Sequence, residues 1–372
     1  MNDHNRAAGV RGAMVCLALA CAAAGAFAAG PSTQFTLTGD IVSPGSYTLP
    51  ALETLPATTQ TVSYLSGSSS QTRTYTGTSL WDIVDGAGIV TGSARNDVLN
   101  EYVLATASDG YKAVFSLGEL HPEYGNRPDL VAYAETTNGI SAPLGANGFA
   151  LTTAPADLRG SRYVSNLASL DVRSSGSTQA GTGGGVSTQF AVSGAVGHAA
   201  SFGSTTDWSA LGLTPITQTV SFLSGSSSQT HTYTGYSLWD LINSSAVGIL
   251  TDPAVKNDII GKYVVATGSD GYKALFSMGE LNPIHGGNPA SFIALSETVN
   301  GIDTALVDDG FARIIVPGDA RRGRYVANLA SIEVFSAAPV PEPQTWALLG
   351  AGLCALLLAS RRRGRERMEG CA

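Results

Sequence analysis

Cysteine is missing from residues 30–340; the four in the chain lie at its ends, Cys16 and Cys21 on one side, Cys354 and Cys371 on the other. The body therefore has no disulfide, no thiolate metal ligand and no cysteine nucleophile. Charge is scarce as well, at 13% of residues. Within residues 30–340 the 14 basic residues are outnumbered by 25 acidic ones, a net charge of −11. A body this acidic is repelled by phosphate backbones, which argues against nucleic acid as a partner. What the chain does have is 44 glycines, abundant Ser and Thr, and 44% hydrophobic residues. That is a turn-rich, weakly charged composition, usual for extracellular β-rich proteins, with enough apolar side chains to fill ordinary cores. At 372 residues the chain has room for about two domains.

Both ends read as addresses. Arg6 and Arg11 precede an apolar run from Ala13 to Ala24, and Ala26-Phe27-Ala28 has the small-x-small pattern read by signal peptidase. Residues 1–28 are expected to be a secretory signal peptide cut after Ala28. The alternative, a retained anchor, meets an apolar run short for a span. At the other end, Pro341-Glu342-Pro343 is followed by an apolar stretch within residues 346–360 and by Arg361, Arg362, Arg363 and Arg365. At 1.5 Å per residue the stretch covers about 21 Å, short for a ~30 Å hydrocarbon core. The arginines would hold its far side in the cytoplasm. Residues 340–366 resemble the PEP-CTERM sorting signal of Gram-negative bacteria. The resemblance implies processing by an exosortase, transient residence in the inner membrane, and delivery to the cell surface or extracellular matrix. An ordinary C-terminal anchor is the other reading.

The body is a duplication. Thr59–Gly77 returns at Thr217–Gly235 with 17 of 19 residues identical, Asp109–Leu120 at Asp270–Leu281 with 10 of 12, and Arg162–Val172 at Arg324–Val334 with 8 of 11. A period near 160 residues is a repeated domain, since solenoid repeats run to about 20–50. Copy 1 is placed at residues 31–173 and copy 2 at 188–336. The intervening 174–187, rich in Gly and Ser, has the composition of a flexible linker, and few contacts are expected to cross it.

Each copy predicts an α+β fold with mixed or antiparallel sheets. Thr59–Leu65 and Thr72–Thr76 are strand candidates around a Ser/Gly loop. Ser79 and Asp82 open a helix whose core face is Leu80, Ile83 and Val84. Tyr102–Ala107 and Tyr111–Phe115 form a hairpin around Asp109-Gly110. Ser116 and Glu119 form a capping box. Strands near Leu130–Thr136 and Phe149–Thr153 flank Asn138-Gly139, and Tyr163–Val172 closes the copy.

The order of motifs in copy 1 is Gly39-Asp40-Ile41-Val42-Ser43-Pro44, then Tyr75 through Asp82, Asp109-Gly110-Tyr111, and Arg159 through Val164. It resembles the molybdopterin-binding domain of the sulfite oxidase family over essentially the whole copy; copy 2 matches from Thr217 onward. The resemblance implies redox chemistry at molybdenum held by one cysteine and a dithiolene cofactor. Where that cysteine would follow the strand, this chain has Ser66 through Ser70, and Ser224 through Ser228 in copy 2. A hydroxyl is hard and weakly acidic and does not replace a thiolate. Family members often carry a lysine near the position of Ser165, which is Ala327 in copy 2, where it helps hold the pterin phosphate. Ser66, Ser224, Arg162 and Arg324 are the candidate cofactor-binding positions. The two arginines, each opening the last strand after a glycine-containing turn, could grip an anion or brace that turn.

Other chemistry is thinly supported. No Gly-x-Ser-x-Gly elbow exists, and no histidine recurs at matching positions, so no catalytic residue is assigned. His121 and His285 are out of register, which leaves them as surface histidines rather than a repeated metal site. Asp303, Asp308 and Asp309 lack the alternating order of a calcium loop. Trp81 and Trp239 suit partial burial better than a sugar platform. The expected function is that of an exported, cofactor-free and metal-free binding or structural protein. Its partners would be an extracellular polysaccharide or surface protein, with signal peptidase and exosortase acting in processing. The alternative is a molybdopterin-dependent oxidoreductase of the sulfite oxidase type.

Overall fold

Turn chemistry and alternation set the elements of copy 1 in a computed structural model that describes residues 31–287 and 289–337. The strands are β1 (Gln34–Gly39), β2 (Gly45–Thr48), β3 (Thr58–Ser66), β4 (Ser69–Ser79), β5 (Glu101–Ala107), β6 (Lys112–Ser116), β7 (Leu130–Thr137), β8 (Ile140–Pro143), β9 (Leu151–Thr152) and β10 (Leu167–Ser174). Short helices α1 (Leu49–Glu53), α2 (Leu80–Gly86) and α3 (Leu117–Leu120) lie between them. Gly67, Gly110 and the pair Asn138-Gly139 have positive φ, which lets β3–β4, β5–β6 and β7–β8 reverse tightly. Ser79 caps α2 by accepting from the Asp82 N–H, and Ser116 with Glu119 forms the reciprocal box on α3.

Two sheets result. One has the order β2-β1-β10-β5-β6 and is mixed, because β1 and β10 run parallel. The other, β3-β4-β7-β8 with β9 also on β7, is antiparallel. Phe35, Leu37, Val103, Phe115, Leu170 and Val172 face α2's Leu80, Ile83 and Val84 in one buried cluster. On the antiparallel sheet, Val62 and Tyr75 face inward while Thr59–Thr76, Thr61–Thr74 and Ser63–Thr72 pair outward at 2.8, 2.8 and 3.0 Å.

Copy 2 repeats this with β11 (Gln189–Gly194), β12 (Ala200–Gly203), β13 (Pro215–Ser224), β14 (Ser227–Ser237), β15 (Lys262–Gly268), β16 (Lys273–Ser277), β17 (Phe292–Val299), β18 (Ile302–Ala305), β19 (Arg313–Ile315) and β20 (Leu329–Ser336). Its helices are α4 (Leu238–Asn243) and α5 (Met278–Leu281), and its sheets run β12-β11-β20-β15-β16 and β13-β14-β17-β18 with β19 on β17. The expected mixed and antiparallel sheets are therefore present. β1, β2 and β8 were not anticipated: β2 and β8 are four residues each and mostly exposed, and β1 signals itself only through the alternation of Phe35 and Leu37. The closing strand begins at Leu167 rather than Tyr163, because Gly160–Arg162 form a 3-10 turn and Asn166 takes φ +53°.

The expectation of two independent cores is corrected. β5 is buried on both faces: Val103 and Ala105 point into copy 1, whereas Tyr102, Leu104 and Val114 join Tyr263, Val265 and Leu275 of copy 2 in a shared apolar cluster. Ile260 of copy 2 belongs to copy 1's core. The contacts follow a pseudo-twofold relation: Leu158 N–H donates to the His285 carbonyl, and Ala320 N–H to the Tyr124 carbonyl.

Nor is 174–187 a free linker. Ser174 ends β10, Tyr263 Oη donates to the Ser175 carbonyl at 2.8 Å, and Lys273 Nζ to the Ser177 carbonyl at 2.6 Å. The N–H groups of Thr182 and Gly184 both donate to the Ser269 carbonyl. Glycines signal freedom in the unfolded chain, but here they let a strap lie close against copy 2. The expected signal peptide with Ala28, and the tail with Pro341, Glu342, Pro343 and the 346–360 segment, lie outside the described residues. Among the described residues no helix is long and apolar enough to cross a membrane.

Candidate functional site

The two capping boxes meet at the seam. Glu119 Oε1 accepts from its own Ser116 N–H at 2.9 Å and from Ser277 Oγ of the other copy at 2.8 Å; Ser116 Oγ returns the contact to Glu280 at 2.6 Å. Arg162 lies on Glu119 at 2.8 Å and clamps Asp157 with Nε and Nη2 at 2.8 and 2.6 Å. Arg324 repeats this with Asp319 at 2.8 and 2.6 Å and with Glu280. Both arginines are buried, with paired carboxylates on each fork. The partners of Arg162 and Arg324 are carboxylates rather than a turn carbonyl, and each guanidinium nitrogen already has an acceptor inside the protein. Sequence spacing marked Ser116 and Glu119 as a local cap. It carried no sign that each serine hydroxyl donates across to the glutamate of the other copy.

Ser66 and Ser224 separate. Ser66 is exposed at the tip of the β3–β4 hairpin, whereas Ser224 is half-buried in the wall of a cleft of about 770 Å³. Copy 1 lends Arg95, Asn96, Glu123 and Tyr124 to this cleft, and copy 2 lends the β13–β14 turn, Ser269, Asp270, Tyr272, Asp308-Asp309, Arg313, Arg321 to Gly323, and Tyr325. Asn96 Nδ2 donates to Tyr272 Oη at 3.1 Å, which fastens the two sides; Asn257 and Tyr111 repeat the bond at 2.9 Å. Arg321 Nε reaches Glu123 at 3.3 Å. Ala327 lines the cleft, and Ser165 bonds Asn147 at 3.1 Å.

Arg313 is the unusual member. It is 5% exposed, with Nη1 on Asp309 and, at 3.3 Å, on Tyr233 Oη, while Nε has no partner. The Tyr325 hydroxyl is likewise buried and unpartnered, and burial pushes its pKa up; burial raises Tyr233 to about 12. Single-copy reading missed Arg313 and Tyr325. The signal was available in the alignment of Phe149-Ala150-Leu151 with Phe311-Ala312-Arg313.

His121 and His285 do not lie loose on the surface. His121 packs on Trp81 with ring centroids 4.5 Å apart, and His285 is buried. Desolvation lowers both pKa values. No group of three or more His, Cys, Asp or Glu positioned to hold a metal occurs among the described residues.

The geometry defines a sheet-rich protein built of two fused copies, and the comparisons identify its tail. Residues 339–363 match the PEP-CTERM protein-sorting motif. The chain is thus an exported protein of the Gram-negative type, sorted through an exosortase. No curated protein matches it. Among solved structures, the sulfane dehydrogenase SoxCD from Paracoccus pantotrophus aligns over 82% of this chain and 78% of that one, at 12% identity and a TM-score of 0.31, too loose a likeness to argue from.

Proposed function

We propose that this is a non-catalytic binding protein of the cell surface or extracellular matrix, whose two molybdopterin-binding-like copies act as one body. The observation that carries the reading is what occupies the positions where a molybdenum cofactor would need donors. Ser66 is an exposed hairpin tip and Ser224 a hydroxyl, neither a soft ligand for the metal. Arg162 and Arg324 are closed off by carboxylates. The donor set does not fit a thiolate-held molybdenum, and no step is routed through one. The seam contributes rigidity, and the cleft beside Ser224 supplies a place for a ligand.

The second reading, a molybdopterin-dependent oxidoreductase, draws support from Arg321 and Arg322 near Ser224, which could meet a cofactor phosphate. Metal analysis of protein exported by its native host separates the two. The expected result is no stoichiometric molybdenum and no pterin fluorescence after oxidation. About one molybdenum per chain, with sulfite or sulfoxide turnover, would overturn the binding reading.

A further inference from the structure

The two copies have diverged unevenly. The buried strands β5 and β15 share 4 of 7 residues, and residues 130–143 around the β7–β8 turn share 6 of 14 with 292–305. The exposed β3–β4 hairpin nevertheless keeps 17 of 19. Its two changes, Tyr64 to Phe222 and Arg73 to His231, fall on the face turned to the core, because Arg73 lies across from the buried Val62 and Tyr64 is two residues from it. The outward face and the hairpin edge are unchanged. Exposed positions ordinarily tolerate substitution within about 0.5 kcal/mol, so folding alone gives no reason for this identity. Contact with something outside the fold does.

β3 and β13 are outer strands of their sheets. The Leu65 N–H donates to the Leu158 carbonyl at 2.8 Å, away from β4. Peptide groups alternate in direction along a strand, so those of Thr59, Thr61 and Ser63 point the same way as that of Leu65. Among the described residues they meet no backbone partner. Their hydroxyls reach β4, as the closer, non-hydrogen-bonded pairs of an antiparallel ladder allow. Copy 2 repeats the arrangement: the Leu223 N–H bonds the Ala320 carbonyl, which leaves Thr217, Thr219 and Ser221 facing outward.

Proteins usually blunt such edges with charge, proline, bulges or short strands. The other outer strands obey that rule. β2, β8, β12 and β18 have four residues each, β8 ends at Pro143, β18 carries Asp303, and β6 and β16 lie at the seam. β3 and β13 do not obey it. No charged side chain occurs between Glu53 and Arg73, or between Asp207 and His231, and proline enters only at the first position of β13.

We propose that β3 and β13 pair edge to edge with the same strands of other copies of this chain. A twofold antiparallel junction sets Thr61 opposite Thr61 and Thr59 opposite Ser63, so each pair exchanges two backbone bonds and only small uncharged side chains meet. An edge whose partner is that edge in another molecule is held to one sequence in both copies, since a change in either alters what both must fit. Two edges per chain carry the pairing beyond a dimer. The acidic body opposes approach, so screening by salt favours assembly.

Sedimentation velocity of the mature exported chain, from micromolar to millimolar concentration and at two ionic strengths, reads the assembly directly. Species longer than dimers should grow with concentration and with salt. Thr61→Lys combined with Thr219→Lys sets like charges opposite each other and should raise the concentration needed for assembly about fivefold or more. Thr61→Val combined with Thr219→Val keeps the backbone edge and should assemble as wild type does. Should the lysine pair not fold, Ser63→Lys with Ser221→Lys charges the same edges. A chain that stays monomeric throughout, or a lysine pair that assembles like wild type, overturns the proposal. A monomeric chain retained on insoluble polysaccharide, and released by the valine pair, would instead assign the outward hydroxyls to a sugar. Metal analysis decides the cofactor question separately, because neither edge depends on its answer.

Discussion

Glu101 and Lys262 open β5 and β15 at matching places, with opposite electrostatic results. Lys262 meets Asp258 at 3.0 Å. Glu101 is buried, Oε2 lacks a partner, and desolvation, with Asp97 and Asp40 adding repulsion, pushes its pKa up to about 8. A carboxyl raised on folding keeps a proton that the unfolded chain releases. Its contribution is therefore full below the ordinary glutamate range and is lost as pH rises toward 8. Glu101→Gln should flatten that decline, and Glu101→Lys should add a pair with Asp97. Thermal melting followed across this range would refute the assignment if wild type and Glu101→Gln fell in parallel. At the seam, Arg162→Met strands Glu119 and Asp157 and should cost about 3–5 kcal/mol. Breaking the half-exposed pair of Arg173 with Asp171 should cost under about 1 kcal/mol. Denaturant titration ranks the two.

Among the elements, those whose signals are local were legible in the sequence. The capping boxes at Ser116 and Ser277, the α2 cap at Ser79 and the Asn138-Gly139 reversal follow from side chains adjacent in the chain. The cleft was not legible, because its members come from both copies and its oddity shows only when Arg313 is set against Leu151. The double-sided burial of β5 was written in the run Tyr102-Val103-Leu104-Ala105, yet that run suits a covered sheet face of any origin. Gly77 is an element-scale constraint of another kind. It lies beside the β4–β7 bulge, where a Cβ would overlap the Val131 carbonyl and lie 2.5 Å from the Ala132 Cα. Gly77→Ala should therefore destabilise copy 1 by more than about 1 kcal/mol, while Gly45→Ala, with open space around it, should stay within about 0.5 kcal/mol. Equal melting temperatures for the two variants would contradict the packing described.

At the scale of the molecule the seam governs behaviour. Cleavage at Gly183, exposed on the strap, should leave two fragments that co-elute and melt in one transition, because the Glu119–Ser277 and Glu280–Ser116 bonds and the shared tyrosine cluster persist. Halves produced separately would expose Tyr102, Leu104 and Val114 and should aggregate; two soluble halves with independent cooperative melts would show the seam to be dispensable. Export should also be legible in mass: the surface-released chain is expected to begin near Ala29 and to lack the Arg361–Arg363 cluster. An intact cluster there would contradict processing by an exosortase.

The sorting motif at residues 339–363 follows almost directly on β20, which lies between β11 and β15. β20 runs parallel to β11 over Ser331–Val334 and antiparallel to β15 along most of its length. Tension applied at the tail acts along this strand, so both ladders are loaded in shear and their hydrogen bonds resist together instead of opening one by one. Forced unfolding is a matter of rate. A molecule pulled from its C-terminal side is therefore gripped at an interior strand of a five-stranded sheet, the arrangement least able to peel.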